Sequence, residues 1–184
     1  DQVVLASNGN ANTHYGGAIY GYYNGGQLSH ALLVDNTARW YGGGAYLFAS
    51  TMALSQVIVA GNAVTSSAGD GGGVHMIGGT PTFTQLAIVG NFAGDTGGGI
   101  ATEQHNAMVL TNVAMTGNTA VYGGGYYDGS VWDPTFRYTD VQGNSPEDFW
   151  GWPSPVGSDG NLSVAPGFVD TSHPLARYWD LHLL

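Results

Sequence analysis

The chain has 184 residues, of which 43% are hydrophobic and 31 are glycine, so it is long enough for one domain with a substantial core. Only 9% of the residues are charged, and the net charge is −10 because Lys and Arg together number 3 against 13 Asp and Glu. Nucleic acids and anionic membrane surfaces require clustered cations, so we exclude both as partners. There is no cysteine, hence no disulfide, and no apolar run approaches the ~18 residues of a membrane span.

A segment that ends in Asn recurs from the start of the chain to residue 144. Five copies align after a partial copy QVVLASN (2–8), namely LSHALLVDN (28–36), LSQVIVAGN (54–62), FTQLAIVGN (83–91), LTNVAMTGN (110–118) and FRYTDVQGN (136–144). The step between successive terminal Asn residues is 26 to 29 residues. We expect the side-chain amides of this column to form a ladder from coil to coil. Its members are Asn8, Asn36, Asn62, Asn91, Asn118 and Asn144.

Each copy alternates in hydrophobicity with a period of two, which is typical of a strand. A second short strand is predicted after each glycine run, and a third is predicted to begin near Leu28, Leu54, Phe83, Leu110 and Phe136. The glycine runs themselves are predicted to form sharp corners, because glycine permits positive φ and close backbone approach. Three short strands per ~27 residues predict an all-β, single-stranded, right-handed parallel β-helix of about six coils.

The array is predicted to occupy residues 1–144 of a single domain. Residues 145–164, with three prolines and two tryptophans, are predicted to form an irregular loop over the last coil, and residues 165–184 a closing strand and cap. The first coil enters midway through a repeat. A solenoid end exposes strand edges and apolar surface, so we expect self-association or a larger parent chain to cover the N-terminal coil.

The combination of GG[GA]-apolar with apolar-x-x-Asn resembles the GGA[ILV] and FxxN repeats of polymorphic outer-membrane proteins. It is more similar still to bacterial right-handed parallel β-helix repeat proteins with pectate-lyase-like folds. The segments APGFVD (165–170) and WDLHL (179–183) resemble the closing element of such domains, which often precedes a cell-surface anchor. The resemblance implies an extracellular or cell-surface protein, on a scaffold that carries lyases, hydrolases, adhesins and stalks.

Aromatic residues recur two positions past the glycine runs, where alternation predicts an outward orientation. This predicted stripe consists of Tyr20, Tyr46, His75 and Tyr127, with Ala101 in the same column. An exposed aromatic stripe can stack on sugar rings or form a subunit interface. Tyrosine also suits a strand exposed on one side, which is a purely structural alternative.

A second group lies just before the glycine runs and could bind a glycan or an ion. It consists of Arg39, Trp40, Tyr41, Asp70, Asp95 and Tyr122. Polysaccharide lyases need a cationic base or charge neutraliser beside calcium-binding acids, whereas a surface ion pair explains the same charges more simply. Calcium on Asp70 and Asp95 is an open alternative that no loop motif supports, and no histidine pairing indicates zinc. We predict no other metal or cofactor.

No carboxylate pair forms a tight cluster of the kind that glycoside hydrolysis needs, since only Asp128 with Asp133, or Asp140 against neighbouring coils, is available. We therefore assign no catalytic residue. We predict an extracellular structural or adhesive β-helix, such as a surface stalk, an adhesin module or a filament-forming subunit. The alternative is a carbohydrate-binding or polysaccharide-degrading module, either a lyase or a hydrolase, with a glycan as ligand.

Overall fold

The computed structural model describes residues 2–173, 175–176 and 180–183, and shows an all-β chain wound into a parallel β-solenoid of about six turns. Its strands, in chain order, are β1 (Val3–Ala6), β2 (Ile19–Tyr22), β3 (Gln27–Val34), β4 (Thr37–Ala38), β5 (Ala45–Ser50), β6 (Ala53–Ala60), β7 (Ala63–Val64), β8 (Val74–Gly79), β9 (Thr82–Val89), β10 (Ile100–Asn106), β11 (Val109–Thr116), β12 (Tyr126–Ser130), β13 (Thr135–Arg137), β14 (Asp140–Gln142), β15 (Phe149–Trp150), β16 (Phe168–Asp170) and β17 (Asp180–Leu183). Within these described ranges, no helix is long and apolar enough to cross a membrane.

Two parallel sheets form the walls of the solenoid. Sheet one has the order β1-β3-β6-β9-β11, with β13 and β14 both paired to β11, and sheet two has the order β2-β5-β8-β10-β12-β15. In sheet one, the residues three positions before each repeat Asn are in register from coil to coil. Val59, Ile88 and Met115 of this column are fully buried. The apolar alternation in the sequence therefore lines the interior of the solenoid.

The predicted division into three strands per coil is wrong for sheet one. The segment that begins near Leu54 and the segment that ends before Asn62 form the single strand β6. This strand bends at Gln56, which has a φ of 55°. The bend lets Leu54 and Val57 both face the core while Gln56 points to solvent. The same left-handed conformation recurs at His30, Gln85, Asn112 and Tyr138.

The short third ladder instead follows the repeat Asn. Strands β4 and β7 pair in parallel, and single bridges continue the ladder through Phe92, Thr119 and Ser145. The glycine runs pack their backbone directly against this ladder. A Cβ added at Gly72 would lie 2.5 Å from the carbonyl oxygen of Gly98 and from that of Phe92. Glycine is required at this corner because two backbone segments touch there.

The repeat Asn residues form a continuous ladder inside the solenoid. Asn91 donates from its backbone N and from Nδ2 to Oδ1 of Asn118, both at 2.9 Å, and Nδ2 also donates to the carbonyl of Val59 at 2.9 Å. Oδ1 of Asn91 in turn accepts from the backbone N and Nδ2 of Asn62. The same pattern joins Asn8, Asn36, Asn62, Asn91, Asn118 and Asn144. Asp148 ends the ladder by accepting from Asn144.

The sequence predicted an irregular loop over residues 145–164, but part of this segment forms a strand. Phe149–Trp150 form β15, which pairs with β12 and extends sheet two. The ring of Phe149 lies 5.6 Å from that of Phe136 and 6.3 Å from that of Tyr126. Phe149 therefore packs against the buried rings of Phe136 and Tyr126 at the last coil.

Residues 165–184 were predicted to form a closing strand and cap, and the structure places part of this segment on the outer face of sheet one. Strands β16 and β17 pair antiparallel, and Phe168 and Ala176 pack on the outer face of sheet one. That face carries the apolar side chains of Leu32, Ile58 and Ala87, which need cover from water. Trp179 of the predicted closing motif, like Asp1 at the start of the array, lies outside the described residues.

Replacing Asn91 by Ala should lower the free energy of unfolding by about 3–4 kcal/mol, because the backbone N of Asn62 and the carbonyl of Val59 lose a buried partner. Urea unfolding followed by circular dichroism measures the loss. The matched control is Asn12→Ala at an exposed position, which should change stability by less than about 0.5 kcal/mol. Equal stability of the two variants would show that the ladder does not contribute to the free energy of unfolding.

Candidate functional site

The predicted aromatic stripe is a register column on the face of sheet two that points away from the core. Parallel pairing places Tyr20 beside Tyr46, Tyr46 beside His75, His75 beside Ala101 and Ala101 beside Tyr127. The ring centroids of Tyr20 and Tyr46 are 5.5 Å apart, and those of Tyr46 and His75 are 5.6 Å apart and nearly parallel. Coil-to-coil stacking therefore produces an aromatic ladder from residues far apart in sequence.

The middle of this stripe is not exposed, contrary to the prediction. Tyr20 is 56% exposed, whereas Tyr46 is 6% exposed and His75 is completely buried. The preceding corner folds over the column, since the Tyr15 ring lies 5.1 Å from Tyr46 and the Tyr41 ring lies 4.7 Å from His75. Burial raises the pKa of the Tyr46 phenol to about 12, with nearby phenols and Glu103 adding to the effect.

The corner residues form a second column. Bridges join Tyr15 to Tyr41, Tyr41 to Asp70 and Thr96 to Tyr122. Asp70 pairs with Thr96, which donates to Oδ1 of Asp70 from its backbone N at 3.1 Å and from Oγ1 at 2.7 Å. Three predicted residues, Tyr41, Asp70 and Tyr122, thus share this column, while Trp40 and Asp95 immediately precede column members in the chain.

Arg39 does not join the acidic residues of this corner, so the predicted mixed-charge group does not form. Its guanidinium lies 5.1 Å from the ring centroid of Trp40, a cation–π contact. Within the part of the chain that the structure describes, the single close pairing of opposite ionisable groups is His75 with Glu103. Asp70 and Asp95 therefore have no arginine partner among these residues.

Asp70, His75 and Glu103 come together where the two columns meet. One ligand-type atom from each lies within 4.8 Å of the others, and Nε2 of His75 is 4.0 Å from Oε1 of Glu103. Asp70 and His75 flank one glycine run, and Glu103 comes from the next coil. Both ring nitrogens of His75 are buried without a hydrogen-bond partner. This group unites two carboxylates and an imidazole in a largely dry setting.

Burial shifts the protonation of all three groups toward their neutral forms. Desolvation lowers the pKa of His75 to about 3. Burial raises the pKa of Asp70, and the hydrogen bonds from Thr96 oppose that rise while the charge of Asp95 adds to it. Burial also raises the pKa of Glu103, and the charge of Asp70 contributes further. The imidazole is consequently neutral and available as a donor ligand at neutral pH.

Sequence reasoning missed Glu103, although a signal for it was present. Glu103 lies two residues past Ala101 on the same strand, so alternation puts it on the same outward face as the aromatic stripe. The repeat step then places it one coil from His75. Two of the acids considered for glycoside hydrolysis have structural partners: Oδ1 of Asp128 accepts from Thr102 and Ser130, and Oδ1 of Asp140 accepts from Val164.

The exposed end of the stripe forms a continuous aromatic surface, here called the tyrosine face, made of Tyr15, Tyr20, Tyr22 and Tyr23. The rings of Tyr20 and Tyr22 are 6.4 Å apart and 3° from parallel. Tyr22 also stacks on Phe48 at 5.0 Å. The stacked rings hold one another in place and present a wide, uncharged platform.

Comparisons of the chain with protein-family models, with curated proteins and with solved structures find no match. What the site can do must therefore be inferred from its own geometry and chemistry.

Stability should fall by about 2 kcal/mol between about pH 7.5 and about pH 5 through His75 alone. The unfolded imidazole takes up a proton near pH 6.5, whereas the pKa of about 3 keeps the folded one neutral, so acid favours unfolding across that window. The raised pKa values of Asp70 and Glu103 act in the opposite sense.

Urea titrations in EDTA at both pH values, for wild type and His75→Gln, isolate the imidazole because the two acids are present in both proteins. The variant should lose about 2 kcal/mol less than wild type on acidification. An identical pH dependence would contradict the burial of a neutral His75.

Proposed function

We propose that the chain is an extracellular structural and adhesive module whose tyrosine face binds neutral glycans. The supporting observation is the platform of Tyr20 and Tyr22, which are 56% and 57% exposed although their rings are stacked and ordered. An exposed aromatic patch of this extent is a typical interaction surface. The extracellular location is supported by the uncharged polar and aromatic composition of the chain.

The chemistry of the tyrosine face suits sugars better than the other ligand classes. A phenol ring offers a flat apolar surface to the C–H face of a sugar ring, and its hydroxyl bonds to sugar hydroxyls. A net charge of −10 disfavours acidic polysaccharides, and so does the placement of Arg39 on Trp40. Neutral glycans are therefore the favoured class of ligand.

The same observations favour binding over polysaccharide cleavage by a lyase. A lyase needs a cationic group beside its acids, and among the described residues Arg39 reaches neither Asp70 nor Asp95. The acids Asp128 and Asp140 accept hydrogen bonds from neighbouring backbone and hydroxyl groups, which gives them structural roles. We accordingly propose a module without turnover.

A second proposal concerns assembly. Strands β1 and β2 each pair with one strand only, and Val3 and Val4 of β1 are 45% and 54% exposed. A strand edge with unpaired backbone groups is a template for another strand. We propose that this edge pairs with a strand of a second copy of the chain.

Tyr20→Ala and Tyr22→Ala should each weaken binding to a soluble neutral polysaccharide about tenfold, because each removes one ring of the platform. A panel of neutral and acidic polysaccharides in affinity electrophoresis provides the measurement. The matched control is Tyr138→Asn, since Tyr138 is 64% exposed on sheet one and Asn112 occupies the equivalent bend with the same positive φ.

Binding that Tyr20→Ala and Tyr22→Ala leave unchanged would contradict the glycan proposal, and release of reducing or unsaturated ends from any polymer would replace it with the enzymatic alternative. Sedimentation velocity on the same samples addresses assembly separately. A monomer at every concentration would contradict the pairing of this edge with a second copy of the chain.

A further inference from the structure

The side chain of His75 has no satisfied polar atom. It is completely buried, and neither Nδ1 nor Nε2 has a hydrogen-bond partner. Leaving a buried polar group unpaired costs about 1–3 kcal/mol, so native proteins rarely keep one without a reason. A ligand that one of these nitrogens binds would supply the reason.

Two carboxylates stand ready beside that imidazole. Asp70 and Glu103 each place an oxygen within 4.8 Å of a His75 nitrogen and of each other. Thr96 holds Asp70 through two hydrogen bonds to Oδ1, which fixes the orientation of this carboxylate. Glu103 is 39% exposed at its side chain, so it can move while His75 and Asp70 stay fixed. Two of the three side chains, those of His75 and Asp70, are thus fixed, whereas that of Glu103 can adjust its position.

We propose that Asp70, His75 and Glu103 form a binding site for a divalent transition-metal ion of the zinc type. An imidazole nitrogen with two carboxylate oxygens suits zinc and its neighbours, whereas calcium prefers six to eight oxygens. The proposed glycan binding does not require this metal, and the metal site shares no residue with the tyrosine face.

The spacing of the three groups fits this assignment after a small adjustment. Metal–ligand bonds of about 2.0–2.2 Å in a tetrahedral site separate the ligand atoms by about 3.3–3.6 Å. The present separations reach 4.8 Å, with 4.0 Å between His75 and Glu103. Because the Glu103 side chain is 39% exposed, its rotation can shorten its distances to His75 and to Asp70. Three protein ligands leave the fourth position open to water or to a ligand.

The electrostatic setting also favours a cation. The carboxylate oxygens of Asp70 and Glu103 lie within 4.8 Å of one another, and no arginine among the described residues pairs with either. A divalent ion would neutralise both carboxylates and bind the neutral imidazole at once. The Tyr41 ring, 4.7 Å from the His75 ring, walls the site on the corner side and limits the access of water.

The test is calorimetric titration of EDTA-treated protein with ZnCl2, together with thermal unfolding with and without ZnCl2. The wild-type protein should bind one Zn2+ per chain and gain thermal stability. His75→Gln and Glu103→Gln should each weaken Zn2+ binding at least about tenfold and abolish the thermal shift. Asp95→Asn, an acid of the same corner outside the group, and His105→Gln, an exposed histidine beside Trp132, should stay within about twofold of wild type.

Several results would overturn the metal site. They are no binding of Zn2+, binding that His75→Gln and Glu103→Gln leave intact, or binding of CaCl2 as tight as that of ZnCl2. Should His75→Gln fail to fold, Glu103→Gln decides alone, because that side chain is partly exposed and its replacement keeps the shape. Loss of Zn2+ binding in Asp95→Asn to the same extent would indicate a diffuse attraction to acidic surface.

Discussion

The Asn ladder is the interaction on which the other features of this solenoid depend. At the corner after sheet one, each Asn side chain accepts two hydrogen bonds from the Asn of one neighbouring coil and donates to the next, with every rung from Asn36 to Asn118 buried. These bonds satisfy backbone groups where the strand ladder is interrupted, and they fit only when the coils are in register. Gly72 and its equivalents can then pack backbone against backbone beneath the corner.

Register is what converts a repetitive sequence into a site. Tyr46, His75 and Glu103 belong to three successive coils, and parallel pairing alone brings their side chains onto one face of sheet two. The corner column of Tyr41 and Asp70 then closes over His75 and buries it. The same stacking therefore produces two surfaces of different character, an open tyrosine face at one end and a largely buried group of ionisable residues further along.

The periodicity of the sequence predicted much of this structure, but it did not predict which outward-facing side chains are buried. The Asn column, the core column of Val59 and Ile88, and the register of the aromatic stripe follow directly from a step of 26 to 29 residues. Alternation predicts which face of the sheet a side chain points to, but not what covers that face. The burial of His75 could therefore not be predicted from the sequence. Phe149, Phe168 and Asp148 lie beyond the repeat, where no neighbouring copy indicates their place, and their roles depend on tertiary packing.

Native-state hydrogen exchange tests the dependence on the ladder most directly. The backbone N–H groups of Asn36, Asn62, Asn91 and Asn118 donate to side-chain oxygens of the next rung, at 2.9–3.0 Å. If the ladder holds the coils together, these amides exchange only on global unfolding, with protection equal to that of the central strands β6 and β9. Exchange as fast as that of an unprotected amide would contradict the ladder's role, and with it the fixed register on which the site is built.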